Sequence, residues 1–280
     1  NMSIITFYNG NKEESGKTMA LAAIATYMSI EHNVKNLLIS TTDREDRLKR
    51  CFWEEKKKQK FSFGIFGPNK NNILEQEGGI TGLAKMARSN KITPEIITNY
   101  TRVVFKDRLE VLLGAEIKRE DIYDAYPEVL TVADQYYDRI FVDLDENVPQ
   151  QIKEKILKQS DVIVVTANQR LSSIEAVRRR KDEDPLFKSS KTLLLIGRYD
   201  KFSKYNVKNI TRYLGEKNQV LTIPYNTLFF EASDEAGVPD LFLRFKKFLD
   251  PEDRNAFFIQ EIKRASESII YRIQAIQAGL

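Results

Sequence analysis

Gly16-Lys17-Thr18 opens a helical pattern, Met19-Ala20-Leu21-Ala22-Ala23-Ile24-Ala25. It follows a short apolar run, Ile4–Tyr8, and a polar loop. Strand, loop, Gly-Lys-Thr and helix in that order are the context a phosphate loop requires. The helix N-terminus offers unpaired N–H groups and a partial positive charge to an anion. Gly16 lets backbone approach closely, Lys17 can reach β- and γ-phosphates, and the Thr18 hydroxyl can ligate Mg²⁺. The plainer reading of the same residues is a decorated strand-to-helix turn.

Other chemistries are poorly supplied. One cysteine, Cys51, and one histidine, His32, cannot make an internal disulfide or a Cys/His zinc site. Ser-His-Asp chemistry would have to use His32, which falls in a linker between a helix and a strand. The net charge of +4 permits contact with DNA or an acidic membrane without demanding it. The charged stretch Asp43 to Lys60 mixes both signs, as a solvated helix face does; a nucleic-acid patch would be more one-signed. No apolar run approaches the roughly 18 residues of a membrane helix, and no basic-then-apolar leader is seen, which together predict a cytoplasmic protein.

These residues need a scaffold, and the sequence describes one. With 280 residues, 42% of them apolar, the chain can bury a substantial core. Apolar runs at Ile4–Tyr8, Asn36–Ile39, Leu109–Leu113, Arg139–Asp143, Asp161–Thr166, Thr192–Ile196 and Val220–Ile223 read as strands. Most are continuous rather than alternating, as in a parallel sheet covered on both faces. Helical patterns separate them: Lys17–Ile30, Ile80–Ser89, Pro94–Phe105, Arg119–Gln135, Pro149–Gln159, Ser172–Arg180, Asn206–Leu214, Pro239–Leu249 and Pro251–Gln277. Asn69 to Gly79 reads as a surface loop. The prediction is a three-layer α/β/α fold with a mostly parallel twisted sheet, the phosphate-loop NTPase arrangement. Residues 1–250 would form the ATPase domain. Residues 251–280 would form a C-terminal helix packed on it or on a dimer mate.

Gly10 and Gly16 are separated by five residues, not the four of an ordinary Walker A motif. Lys12-x-x-x-Gly16-Lys17-Thr18 instead resembles the deviant Walker A of the ParA/MinD superfamily. The resemblance runs nearly the whole length. Tyr137 to Asp143 is similar to the family's Walker B strand, and Asp161 to Thr166 with Ser172-Ser173-Ile174 to the next strand and helix. Leu195-Ile196-Gly197-Arg198-Tyr199-Asp200 resembles its Asn-Arg-Tyr-Asp strand end. Ile223-Pro224-Tyr225-Asn226, then Glu231-Ala232 and Gly237-Val238-Pro239, resembles the segment bordering adenine. Within the superfamily, the Gly82-Leu83 helix leading to Arg108–Gly114, the Arg198-Tyr199-Asp200 end and the degenerate loop resemble the CpaE/TadZ branch of Tad (Flp-type) pilus assembly.

The resemblance implies ATP or ADP with Mg²⁺ as cofactors. Ser15, Gly16, Lys17, Thr18 and Met19 would hold phosphate; Arg198, Pro224, Tyr225 and Asn226 would hold the base. Thr18 and, through water, Asp143 would serve the metal. Lys12, Lys17 and Asp143 would carry any catalysis, with Lys12 reaching across a homodimer to the partner's nucleotide. The matching positions are not all conventional. Ser40 and Thr42 stand where the family carries acids at the end of the second strand, with Asp43 one position further on. Glu13 and Glu14 replace two glycines, a substitution compatible with phosphate only if they point outward into solvent or onto Lys/Arg. Gly197 replaces the adenine-reading Asn. These departures predict slow hydrolysis or none.

The implied function is a nucleotide switch that dimerises and positions a cell-envelope machine of the Tad/Flp pilus type, whose proteins would be its partners. A DNA-partitioning ATPase and a constitutively dimeric pseudo-ATPase scaffold are the alternatives, with DNA binding less favoured. The helical spacing of Phe258, Ile262, Ala265, Ile269, Ile273 and Ile276 reads as a docked face. Its alternative is a membrane-seeking face that would place the protein peripherally at a membrane or cell pole.

Overall fold

A computed structural model describes residues 2–9, 13–54, 78–89, 91–115, 120–247, 250, 253 and 255–279. Its frame is one eight-stranded sheet in the order β3-β4-β2-β5-β1-β6-β7-β8. The strands are β1 (Ser3–Asn9), β2 (Asn36–Ser40), β3 (Arg102–Phe105), β4 (Leu109–Leu112), β5 (Arg139–Asp143), β6 (Val162–Ala167), β7 (Thr192–Tyr199) and β8 (Leu221–Pro224). All neighbours pair in parallel except β3 with β4.

Twelve α-helices are described. They are α1 (Lys17–Glu31), α2 (Arg47–Phe52), α3 (Gly79–Ala87), α4 (Pro94–Thr98), α5 (Glu120–Tyr123) and α6 (Ala125–Ala133), then α7 (Gln150–Gln159), α8 (Leu171–Glu183), α9 (Val207–Leu214), α10 (Thr227–Asp234), α11 (Val238–Lys247) and α12 (Ala256–Gln277).

The continuous apolar runs have the expected cause: successive residues of one strand enter opposite cores. Ile4 packs with Ile80, Leu83, Tyr126 and Ile152 on one face, while Ile5 and Phe7 pack with Leu21, Ile24 and Ile262 on the other. The three-layer α/β/α architecture stands as predicted. β1 lies between β5 and β6, so the chain leaves it in both directions along the sheet. That reversal opens a crevice at the carboxyl ends of the strands, where open α/β sheets bind ligands.

Three elements differ from the sequence reading. The helix expected over Pro94–Phe105 stops at Thr98, and Arg102–Phe105 is a strand antiparallel to β4. Thr93 caps the short helix, its side chain accepting from the Ile96 N–H. Val103 and Val104 then favour extended backbone, and Asp107, at φ 59°, closes the hairpin. The helix expected over Arg119–Gln135 is two, broken near Asp124. β7 continues past Ile196 to Tyr199 through an irregularity at Gly197/Tyr199, where Arg198 takes φ 52°. The loop expected over Asn69–Gly79 lies outside the described residues up to position 77, as do residues 55–60 of the charged stretch.

α12 lies against α1, β8 and β6. Phe258, Ile262, Ala265 and Ile269 are buried in the core on that face. The buried Glu261 carboxylate accepts from the Thr222 hydroxyl of β8 and pairs with Arg264 at 2.9 Å. Phe229, Phe242, Phe245 and Phe258 form an aromatic cluster that joins α12 to α10 and α11. Among the described residues, no helix is long and apolar enough to cross a membrane. Ile262→Ala should therefore cost about 2–5 kcal/mol in urea unfolding. Tyr271→Ser, on the exposed side of the same helix, should stay within about 0.5 kcal/mol.

Candidate functional site

Lys17 and Thr18 begin α1 and converge on one carboxylate. Lys17 Nζ lies 2.5 Å from Asp143 Oδ1 and donates to the Leu144 carbonyl at 2.6 Å. The Thr18 hydroxyl donates to Asp143 Oδ2 at 2.7 Å. β5 ends at Asp143 and runs beside β1, so the register brings that carboxylate to the foot of the loop. Ser15, buried, exchanges a hydrogen bond with Thr166 at the end of β6 at 2.8 Å, fixing the loop from the other side. Gly16 precedes the helix at φ 74°, and neither a capping side chain nor a first-turn acid occupies the N-terminus of α1. Its first N–H groups thus face outward toward an anion.

The two loop glutamates point away from that N-terminus. Glu13 accepts from Ser172 Oγ at 2.7 Å and Asn168 Nδ2 at 3.2 Å. Glu14 lies 2.7 Å from Arg47 Nη1 and 3.4 Å from Arg198 Nη2. Arg47 holds the Glu14 carboxyl below the ordinary carboxylate range, against a smaller opposing effect of burial. Arg47 was not legible as a site residue: it stands 33 positions from Glu14, in a stretch whose charges looked merely solvated.

Gly197 has a steric reason. A Cβ there would come 2.0 Å from the Ser15 carbonyl oxygen. β7 and the loop touch backbone to backbone there, which requires glycine at 197. The close approach places Arg198 over Gly16, where an added Cβ would sit 3.5 Å from Arg198 Cγ.

Met19, Gly16, Arg198, Pro224, Tyr225 and Asn226 line one cavity of about 350 Å³, with Arg47, Phe229 and Phe230. Sequence reasoning missed Phe230, whose half-exposed ring lies 6.1 Å from that of Tyr225 at the cavity mouth. Asn226 serves the fold: it caps α10 by accepting from the Phe229 N–H and donates to Asn255 Oδ1 at 2.7 Å. Lys12 lies outside the described residues.

At the end of β2, Ser40 is registered against Asp143. Thr41 links the two strand ends, donating to the Asp143 carbonyl and accepting from the Asp145 N–H. Asp43 is turned aside, accepting from Asn147 Nδ2 at 3.0 Å. Asp46 is a buried acid that the sequence reading passed over, although its position before α2 is a capping signal. It accepts from the Leu48 N–H at 3.1 Å and the Gly114 N–H at 2.9 Å. Burial pushes its carboxyl up to about 6, against the stabilising hydrogen bonds from Gly114, Ser40 and Leu48.

The donor set fits a magnesium nucleotide: an uncapped helix start, an ammonium, and two hard oxygens, Thr18 Oγ1 and Asp143 Oδ2. Among the described residues no group of three or more His, Cys, Asp or Glu side chains is placed to hold a metal ion by itself.

Two consequences are measurable. Gly197→Ala must displace the Ser15 carbonyl, so it should cost about 1–3 kcal/mol in chemical unfolding and loosen the loop. Asp46 binds its proton more tightly folded than unfolded, so its contribution to stability falls as pH rises from about 4 through 6. Unfolding of the wild type and Asp46→Asn across that range should show this loss, on the order of 2–3 kcal/mol, only in the wild type.

Comparison with known proteins places this geometry. No protein-family model matches the chain, and no curated protein sequence matches it. Solved structures do. A ParA family ATPase from Chlorobium tepidum is 15% identical over 94% of this chain and 97% of its own, with a TM-score of 0.66. A putative plasmid partition protein from Borrelia burgdorferi bound to AMPPNP is 17% identical over 98% and 99%, with a TM-score of 0.63. The septum site-determining protein MinD from Pyrococcus horikoshii, complexed with Mg-ADP, is 16% identical over 94% of both chains, with a TM-score of 0.62. This protein therefore has the fold of the ParA and MinD ATPases.

Proposed function

We propose that this protein is a nucleotide switch of the ParA/MinD kind, binding ATP and Mg²⁺ before α1 and forming a homodimer in that state. The observation that carries the reading is the convergence of Lys17 and Thr18 on Asp143 at the ends of β1 and β5. Full-length similarity to folds solved with AMPPNP and Mg-ADP supports it. Mg²⁺ when bound neutralises phosphate charge. Lys17 and the first N–H groups of α1 would hold the phosphates, and Thr18 and Asp143 would hold the metal side. Met19, Pro224, Tyr225 and Arg198 enclose the base.

Hydrolysis is slow in this reading. The residue registered against Asp143 is a serine, and the buried acid bonded to that serine, Asp46, is committed to the N–H groups of Leu48 and Gly114. The nucleotide acts by favouring the dimer it binds more tightly, with Lys12 reaching the partner's phosphates. The dimer then recruits a cell-envelope assembly machine of Tad/Flp type, a step supported by the sequence resemblance at Gly82-Leu83 and Arg198-Tyr199-Asp200. The machine's site would be cytoplasmic, at a membrane or cell pole.

Light scattering on the full chain tests this. Mass should double only with ATP and Mg²⁺, Lys17→Ala should abolish nucleotide binding, and Lys12→Ala should bind nucleotide but remain monomeric. A dimer without nucleotide would instead establish the scaffold alternative, and DNA retention that weakens steeply with salt the partition alternative.

A further inference from the structure

We propose that Glu14 is a built-in competitor of the nucleotide: its carboxylate occupies Arg47 and Arg198, two arginines that line the cavity beside Gly16 and would otherwise offer their charge to a bound nucleotide. The inference rests on the reading of this loop as a nucleotide site.

The three side chains come from three places, the phosphate loop, α2 and the end of β7, and line the same cavity beside Gly16 and Met19. Glu14 stands two residues before Gly16, where its charge lies beside any anion held at the start of α1. One carboxylate oxygen takes Arg47 at 2.7 Å and the other takes Arg198 at 3.4 Å. One carboxylate thus bridges two guanidinium groups, each of which could equally take a phosphate oxygen. The hydrogen bond from Arg47 keeps Glu14 ionised at neutral pH.

Exposure shows that the contact is exchangeable. The Glu14, Arg47 and Arg198 side chains are 57%, 63% and 48% exposed, so water and a stronger anion can replace the carboxylate. Lys17 repeats the pattern in a more buried setting, with Asp143 as its internal anion. Lys17, Arg47 and Arg198 thus each hold a protein carboxylate that phosphate would displace. A glycine at position 14 would leave both arginines uncompensated, so the acidic residue lowers affinity and sets the nucleotide concentration at which the site fills.

The test is fluorescence titration of the full chain with an ATP analogue labelled on the ribose, in Mg²⁺ at low ionic strength. Glu14→Gln should bind about three- to tenfold more tightly than wild type. That gain should shrink in high salt, which screens exposed charges. Arg47→Gln, which leaves Glu14 less neutralised, should bind more weakly, and the double variant should return toward wild type. A carboxylate that merely props the loop predicts the opposite sign: weaker binding by Glu14→Gln, with a lower melting temperature before nucleotide is added. Wild-type binding with no gain, or a loss, in Glu14→Gln would overturn the inference alone. Binding by neither protein would overturn the nucleotide reading and the inference with it.

Discussion

The arrangement at the carboxyl ends of the strands depends on one ion pair, Lys17 with Asp143. It joins the first residue of α1 to the last residue of β5, with Thr18 bonded to the same carboxylate. Both charged side chains are largely buried, so removing either would leave the other uncompensated in a poorly solvated place. The pair therefore fixes where the loop can lie. β1 supplies the loop, β5 supplies the carboxylate, and their parallel register sets the distance between them. β6 adds Thr166 against Ser15, and β7 closes in until its backbone touches the loop at Gly197. Four strand ends thereby meet at one loop.

How much of this the sequence showed follows from the range of each interaction. β1, β2, β5 and β6 were readable because both faces of a parallel strand are buried, which leaves an uninterrupted apolar run. Lys17, Thr18 and Asp143 stood out for a different reason: Gly-Lys-Thr opens a helix directly after a strand and loop, and Asp143 is the acid that ends an apolar run. The strand at Arg102–Phe105 was hidden because Pro94 announces a helix and nothing local announces its end at Thr98, where turn residues Asn99 and Tyr100 are unremarkable. β7 was cut short because Gly197 and Arg198 look like the start of a loop; pairing with β8 carries the strand through them to Tyr199.

The partners that long-range contacts create were not readable at all. Arg47 meets Glu14, and Asp46 meets Gly114, across 33 and 68 positions. No spacing rule links such residues. Glu13 and Glu14 illustrate what sequence chemistry can and cannot supply. It required that these acids turn outward if the loop holds phosphate, and they do. It could not name Ser172, Asn168, Arg47 and Arg198 as the groups that receive them. Gly197 is a further case: its departure from the resembled pattern was visible in the sequence, but the Ser15 carbonyl that leaves no room for a side chain there was not.

The same contacts indicate where a nucleotide-driven change can begin. α1 is buried along most of its length under α11 and α12, and α12 is itself pinned through Phe258, Ile262 and Glu261. A close-packed helix of that kind does not deform gradually. The segment from Ser40 to α2 is held differently. Its fixed points are polar: Thr41 on β5, Asp46 on Gly114 and Leu48, and Arg47 on Glu14. Of these, the exposed Arg47–Glu14 pair is the contact an anion at α1 would disturb most directly, while the buried cap at Asp46 is the one that would resist. α2 itself packs against α1, α10 and α11, with Leu48, Cys51 and Phe52 buried in the core, so the polar contacts at its start are the part of it that an anion could exchange.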